Sequence, residues 1–364
     1  MAKSTALRKY TLLPLSCIYG MAVGLRNKLF DWGLLKEKSY NVPVLTVGNI
    51  AVGGTGKTPH AEYIVSLLRD KYNIAVLSRG YKRHTKGFVL ASPHSTPRDI
   101  GDEPYQIYHK FGRRVTVAVC EKRTEGIEKL LEINPDINLI VLDDGFQHRY
   151  VRPRVSILLT EYNRPYYNDT LLPYGKLRES AKGVSRADIV IVTKCPTNIK
   201  ALDYRILKKH LDLIPEQKLF FSRYYYDAPR PVFASVVRPD HAPVLQNLSH
   251  DYRLLALCGI GNPRPFVRYV KSFEPPVLVN VFPDHHDYTR KDMATLLNRF
   301  ESMPKGKRFI ITTEKDAVRL INNPYFPHTL KPYIFYIPMH VGFDLVDNST
   351  VKETLIKLIN NNER

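Results

Sequence analysis

Ala51-Val52-Gly53-Gly54-Thr55-Gly56-Lys57-Thr58 follows the apolar run Val42-Pro43-Val44-Leu45-Thr46-Val47, and the reading of this stretch decides the fold. The apolar run is short and β-rich, the pattern of a buried strand. Gly48 to Thr58 is a glycine-rich turn. Pro59 to Asp70 reads as a helix with Ile64, Val65, Leu67 and Leu68 on its apolar face, and Pro59 is acceptable in a first helical turn. A strand, a glycine loop and a helix in this order can hold nucleotide phosphates. Glycines let backbone N–H groups wrap the phosphates, Lys57 meets the β/γ charge, and the Thr58 hydroxyl suits Mg²⁺. The amino end of the helix then faces the anion. The strict motif begins with Gly where this chain has Ala51, a departure that Gly53 and Gly54 can offset. Ala51, Val52, Gly53, Gly54, Thr55, Gly56, Lys57 and Thr58 are therefore the expected nucleotide-binding residues.

Outward from the loop, Ile74–Leu77, Val115–Val119, Leu139–Leu142, Val155–Leu159 and Ile189–Val192 are further apolar, β-branched runs. Helical patterns intervene at Glu103–Phe111 and Thr124–Ile133. This alternation predicts an α/β fold of the P-loop NTPase type, a parallel sheet with helices on both faces. The run Asn138-Leu139-Ile140-Val141-Leu142 ends in Asp143 and Asp144. Two acids at a strand end suit a cation beside phosphates, although turn chemistry alone also accounts for such a pair. Ser78-Arg79-Gly80-Tyr81-Lys82-Arg83 should open on the same carboxyl edge, where ligands bind in such sheets. Asp102, in Gly101-Asp102-Glu103-Pro104, is either a helix cap or a base that accepts a hydroxyl proton. Arg178, in Leu172–Glu179, is suited to neutralise charge on a transferred phosphoryl group. Asp284, His285 and His286 cluster without a spacing that demands a metal.

Near Leu219 the texture changes to Phe220, Phe221, Tyr224, Tyr225 and Tyr226, followed by Pro229, Pro231 and Pro239. We expect a β-ribbon or an edge element joining two domains here, and beyond it a second, smaller α/β domain through Leu254–Cys258, Pro265–Phe273, Val277–Val281, Met293–Phe300 and Phe309–Thr313. Thr350–Asn361 reads as a terminal helix. The expected division is 1–35 as an amino-terminal helix, 36–218 as the phosphate-loop domain, 219–240 as the ribbon and 241–364 as the second domain, contributing to a cleft.

The chain has 364 residues and a net charge of +19, which bears on its partners rather than on its fold. No zinc-finger or homeodomain spacing is present, so a membrane surface or a phosphorylated substrate is expected ahead of nucleic acid. Cys17, Cys120, Cys195 and Cys258 are far apart, which argues against a disulfide framework or zinc site and suits a reducing cytosol. Lys3, Arg8 and Lys9 precede an uncharged run of 16 residues, Tyr10 to Leu25. A spanning helix needs about 20. Arg26, Lys28, Phe30 and Trp32 follow. The pattern fits a helix lying in a membrane interface; a helix packed on the core is the alternative.

The phosphate loop, Ser78–Tyr81, Gly101–Pro104, Asp143–His148, Leu177–Glu179, Gly259-Ile260-Gly261-Asn262, Asp284–His285 and Thr313-Glu314-Lys315-Asp316 occur in one order from about Val44 to Arg319. Together they resemble the tetraacyldisaccharide 4′-kinase family, the lipid A kinases of Gram-negative bacteria. The family shows Gly-Gly-x-Gly-Lys-Thr, so Ala51 fits it. The resemblance implies transfer of the γ-phosphate of ATP, with Mg²⁺, to the 4′-hydroxyl of an acylated glucosamine disaccharide 1-phosphate, giving lipid IVA. It implies a peripheral enzyme, expected as a monomer, on the cytoplasmic face of the inner membrane and in contact with anionic lipid. It implies Asp102 as the catalytic base, His285 as its helper, and Lys57 and Arg178 as catalytic groups. Arg123 and Gln147 are implied near the nucleotide, and Asp143, Asp144, Glu179 and Thr58 around the metal. The rival class is a membrane-associated partitioning or transport ATPase. A GTPase is poorly supported, because Thr193-Lys194-Cys195 lacks the Asp of the guanine-selecting motif.

Overall fold

The structure, a computed structural model, describes residues 2–237, 242–344 and 346–361, with side chains over 11–237, 242–343 and 346–361. The side chains of Lys3, Arg8 and Lys9, the end of the expected ribbon at 238–240, including Pro239, and residues 362–364 of the expected second domain lie outside the described residues.

The strand that leads into the glycine loop is Val44–Gly48, buried along its whole length. It sits inside a nine-stranded sheet of the described residues. From edge to edge the order is Met339–Asp344, Lys218–Tyr226, Ile189–Thr193, Val155–Glu161, Val44–Gly48, Leu139–Asp143, Ile74–Ser78, Thr116–Val119 and Val89–Leu90. Pairing is parallel from Lys218–Tyr226 through to Thr116–Val119. Val89–Leu90 adds an antiparallel edge.

Successive strand residues point to opposite faces. Leu45, Val47, Val141 and Ile157 pack with Ile64, Val65 and Leu68 of the helix Lys57–Leu68 and with Val351, Leu355 and Ile359 of the helix Asn348–Asn360. Val44, Leu77, Ile140 and Leu142 instead pack with Ile127 and Leu130 of the helix Arg123–Ile133. Val190 and Val192 pack with Leu207 and Leu211, at the helix Ala201–His210. Both faces are covered, which is why the strands read as continuous apolar runs.

Several elements differ from expectation. The helix after the loop begins at Lys57, so Pro59 lies in the first turn, where its missing N–H was unneeded. Lys218–Tyr226, expected within a ribbon, is a strand of the large sheet. Its neighbouring rings Phe220 and Phe221 are buried in different apolar clusters, as strand alternation requires. The terminal helix belongs to the first unit, because Val351, Leu355 and Ile359 recur every four residues and make one apolar stripe.

The chain forms two compact units. The first comprises Met1–Pro93, Ile107–Tyr224 and Val341–Arg364; the second comprises His94–Gln106 and Tyr225–His340. In the second, Val277–Val281, Arg253–Cys258, Arg308–Thr313 and Ile334–Ile337 are parallel neighbours in that order, and Arg230–Pro231 pairs antiparallel at the edge. Its core gathers Leu255, Leu257, Leu296, Phe300 and Ile310.

The amino-terminal helix runs Ala2–Asp31, longer than the apolar run suggested. One stripe docks on the first unit. Ser16 Oγ donates to the Leu171 carbonyl at 3.0 Å, and Tyr19 Oη to the Arg178 carbonyl at 2.7 Å. Buried Phe30 meets the Tyr150 ring edge-on at 5.0 Å. The other stripe is bare: Leu15 is 52% exposed, Ile18 58%, Met21 67% and Leu25 56%. The docked stripe matches the core-packing alternative for this segment. Among the described residues, no helix is long and apolar enough to cross a membrane.

Leu45 is fully buried at the centre of the main cluster. Leu45→Ala should lower the unfolding free energy of this unit by about 2–5 kcal/mol in urea titration. A loss near zero would contradict the packing described.

Candidate active site

Parallel pairing sets Val47 beside Asp143, so the loop and the acid leave the sheet at the same edge. The Thr58 hydroxyl donates to Asp143 Oδ2 at 3.1 Å. Lys57 Nζ lies 3.7 Å from Asp144 Oδ1. The loop needs its glycines. Gly53 and Gly56 have φ of +125° and +93°, and a Cβ on Gly56 would overlap the Tyr224 hydroxyl. Nothing would meet a Cβ on Gly54.

Residues outside the motif hold the loop in shape. Asn49 Nδ2 donates to Thr55 Oγ1 at 2.7 Å, and Thr193 Oγ1 to the Thr55 carbonyl at 2.9 Å. Lys194 Nζ donates to the Gly54 carbonyl and pairs with Glu161 at 2.7 Å. His60, one turn into the helix, is buried between the Gly56 carbonyl at 2.7 Å and Ser222 Oγ at 2.8 Å. A carbonyl only accepts, so Nδ1 carries the proton and Nε2 accepts from Ser222.

Backbone pairing also explains how Arg178 arrives. Val52 N donates to the Lys176 carbonyl and Arg178 N to the Ile50 carbonyl, both at 2.7 Å. An antiparallel bridge joins Ala51 to Leu177. Arg178 Nη1 then lies 3.5 Å from Asp144 Oδ2 and donates to Gln147 Oε1 at 3.3 Å. Gln147 Nε2 donates to the Asn49 carbonyl and to Glu179 Oε1 at 3.2 Å. Glu179, expected at the metal, is buried; its Oε2 accepts from Arg186 at 2.7 Å and from Asn27 of the amino-terminal helix at 3.2 Å. Protein donors occupy both its oxygens, so this carboxylate ties that helix to the loop region.

Arg123 is only 2% exposed. Its Nη1 donates to the Cys120 carbonyl, while Nε and Nη2 have no hydrogen-bond partner among the described residues. Burial lowers its pKa to about 10, against the opposing charges of Asp144 and Asp143. Buried guanidinium N–H groups without acceptors are costly, and a phosphate oxygen would satisfy them. His148 is held neutral by burial and by the Arg123 charge, with its pKa lowered to about 4.

These donors fit a nucleoside triphosphate with Mg²⁺. The glycine cradle and Lys57 suit phosphate, and the adjacent Thr58 hydroxyl and Asp143 carboxylate offer the hard oxygens that Mg²⁺ takes alongside phosphate and water. No cluster of three or more His, Cys, Asp or Glu among the described residues would hold a metal alone.

Asp102 and His285 lie in the second unit and meet there. Asp102 Oδ2 accepts from His285 Nδ1 at 2.9 Å and from Arg319 Nε and Nη2 at 3.0 and 2.6 Å. Burial pushes the Asp102 carboxyl up, but the bonds from His285 and Arg319 and the charges of Arg319 and Lys315 outweigh it. They hold the group below the usual carboxylate range. His285 has φ +58°, an uncommon backbone state for a residue with a Cβ. Lys315 Nζ lies 3.2 Å from His285 Nε2 and donates to Glu103 Oε1 at 2.7 Å. The sequence reading gave Lys315 no role and passed over Arg319. Their spacing of four on the helix Glu314–Ile321 was the available signal, since it puts both on one face.

His60 yields a pH test. Burial lowers its pKa to about 4, so the folded chain keeps it neutral. The unfolded chain takes up a proton near pH 6.5, so stability is complete above about 6.5 and falls as pH drops towards the folded value, by about 3 kcal/mol. Urea titrations from pH 7 to 4 should show a shallower loss for His60→Gln than for the wild type. Equal slopes would refute it.

Residues 8–360 match the family model described as tetraacyldisaccharide-1-P 4′-kinase. The tetraacyldisaccharide 4′-kinase of Bacteroides fragilis (strain YCH46) is 48% identical over 358 residues, 97% of this chain and 94% of that protein. That of Flavobacterium johnsoniae is 42% identical over 332 residues, covering 91% and 92%. Among solved structures, Aquifex aeolicus LpxK in complex with ATP superposes with a TM-score of 0.72 at 28% identity, over 97% of this chain and 99% of that one. The loop, the acids at the strand end and the Asp102–His285 pair are thus set in a chain that belongs to the tetraacyldisaccharide-1-P 4′-kinase family.

Proposed function

We propose that the two units divide the family's reaction, the first handling ATP and the second the acceptor hydroxyl. The reaction is transfer of the γ-phosphate of ATP to the 4′-hydroxyl of tetraacyldisaccharide 1-phosphate, a step of lipid A biosynthesis. The observation that carries the assignment of roles is the Asp102–His285–Arg319 cluster. A carboxylate kept ionised by fixed donors is suited to orient an acceptor hydroxyl for phosphoryl transfer.

In this reading, the backbone N–H groups of Gly53 to Thr58 and the Lys57 ammonium hold the β- and γ-phosphates. Arg178 and Arg123 offset charge on the transferred group. Thr58 and Asp143 would hold Mg²⁺, which neutralises charge on the phosphates when bound. Asp144 acts through Lys57 and Arg178, which flank it, and Gln147 steadies Arg178. We assign Glu179 to bracing this network rather than to the metal. Asp102 accepts the hydrogen bond of the 4′-hydroxyl and orients it. A carboxylate held below its usual range is a weak base. That suffices for a loose transition state, where the hydroxyl becomes strongly acidic only as its new bond to phosphorus forms.

The exposed apolar stripe of the amino-terminal helix supports interfacial binding, with the helix lying on the cytoplasmic face of the inner membrane and the acyl chains remaining in the bilayer. The net charge of +19 favours an anionic surface. One chain carries every residue used here, so we expect a monomer.

Asp102→Asn should lower turnover by about 10²–10⁴-fold while ATP still binds. With γ-labelled ATP, label should pass from the wild-type enzyme to the lipid. Near-normal turnover of Asp102→Asn would sink the base assignment, and label released only to water would favour the ATPase class. Ile18→Lys with Met21→Lys, both on the bare stripe, should reduce co-sedimentation with anionic liposomes severalfold. Unchanged binding would reject the interfacial helix.

A further inference from the structure

Three donors converge on one oxygen of Asp102. His285 Nδ1, Arg319 Nε and Arg319 Nη2 all approach Oδ2, and among the described residues no hydrogen bond reaches Oδ1. Arg319 is itself fixed. Its Nη1 donates to the Gly259 carbonyl at 2.9 Å and to Asp316 Oδ1 at 3.1 Å. Asp316 is fully buried and accepts from Gly259 N at 3.0 Å, Thr313 Oγ1 at 2.7 Å and Tyr288 Oη at 3.1 Å. The guanidinium therefore reaches Asp102 from a rigid base, and its planar fork sets the plane of the carboxylate.

The other side of the pair is His285. An ammonium group has donors and no acceptor, so Lys315 Nζ at 3.2 Å requires a lone pair on His285 Nε2. The ring proton then sits on Nδ1, which donates to Asp102 Oδ2 at 2.9 Å. Arg319 Nη2 lies 3.4 Å from the same Nδ1, but its donor capacity is directed at Asp102, 2.6 Å away. Glu103 holds Lys315 in place at 2.7 Å.

We propose that Lys315 and Arg319 are positioning residues for the acceptor chemistry. Lys315 fixes His285 in its Nδ1–H tautomer. Arg319 and that tautomer together saturate Asp102 Oδ2 and leave Oδ1 as the oxygen that receives the substrate hydroxyl. The last step rests on the Asp102 reading above; the tautomer assignment does not. Without Lys315, the Nε2–H form becomes available, Nδ1 ceases to donate, and Asp102 is free to turn. A histidine held in the wrong tautomer is known to be costly in catalysis.

The test is a long-range ¹H–¹⁵N correlation spectrum of the full-length protein with ¹⁵N-labelled histidine, with His285 assigned from the signal missing in His285→Asn. The wild type should show the Nδ1–H pattern. Lys315→Met should shift His285 towards Nε2–H and lower kcat about 10-fold or more with little change in KM for ATP. Lys315→Arg should restore both the pattern and most of the rate. An Nε2–H pattern in the wild type, or a Lys315→Met enzyme with wild-type tautomer and kcat, would overturn the proposal. Turnover of Asp102→Asn, measured in parallel, tests the base reading separately, because the tautomer spectrum is read without turnover.

Discussion

The parallel pairing of Val44–Gly48 with Leu139–Asp143 is the constraint from which the phosphate side of the molecule follows. It sets Val47 against Asp143, so the loop after one strand and the acids after the other emerge together. The hydrogen bond from Thr58 to Asp143 expresses that register in side chains. Because both faces of the sheet are buried, a slip of register would turn apolar residues into the wrong layer and separate hydroxyl from carboxylate. The same edge pairs Ala51 with Leu177, which delivers Arg178. Geometry needed for phosphate chemistry is therefore secured by the core.

The cluster around Asp102 is built differently. Asp102 stands at the start of the helix Asp102–Phe111, His285 in a turn with positive φ, and Lys315 and Arg319 on one face of a helix. No sheet register aligns them. They are held by charge-assisted hydrogen bonds ending in the buried Asp316, which has the N-cap Thr313 as one donor. Such a network is stiff when every member is satisfied and costly when one is removed.

Much of the fold was legible because its strands are short, apolar and separated by glycine loops and amphipathic helices. Val44–Gly48, Ile74–Ser78, Leu139–Asp143 and Ile189–Thr193 came within a residue or two of expectation. The aromatic strand Lys218–Tyr226 was misread because consecutive rings hide the alternation that burial of Phe220 and Phe221 on opposite faces makes plain. The terminal helix was seen, but its unit is set by a tertiary stripe, which no local pattern encodes. At the site, motif residues were legible as chemistry and their supports were not. Thr193, Lys194, Tyr224 and Arg319 act through contacts distant in sequence. Glu179 was legible as a motif position, whereas its pairing with Arg186 and Asn27 depends on where the amino-terminal helix docks.

We propose the Gly53–Thr58 loop with Asp143 as the phosphate and metal seat. A crystal structure with Mg²⁺ and a non-hydrolysable ATP analogue tests it most directly. The phosphates should lie against the loop N–H groups and Lys57, with the ion on Thr58 and Asp143 and with Glu179 still paired to Arg186. A nucleotide bound away from this loop, or a metal held by Glu179 in place of Thr58 and Asp143, would contradict it.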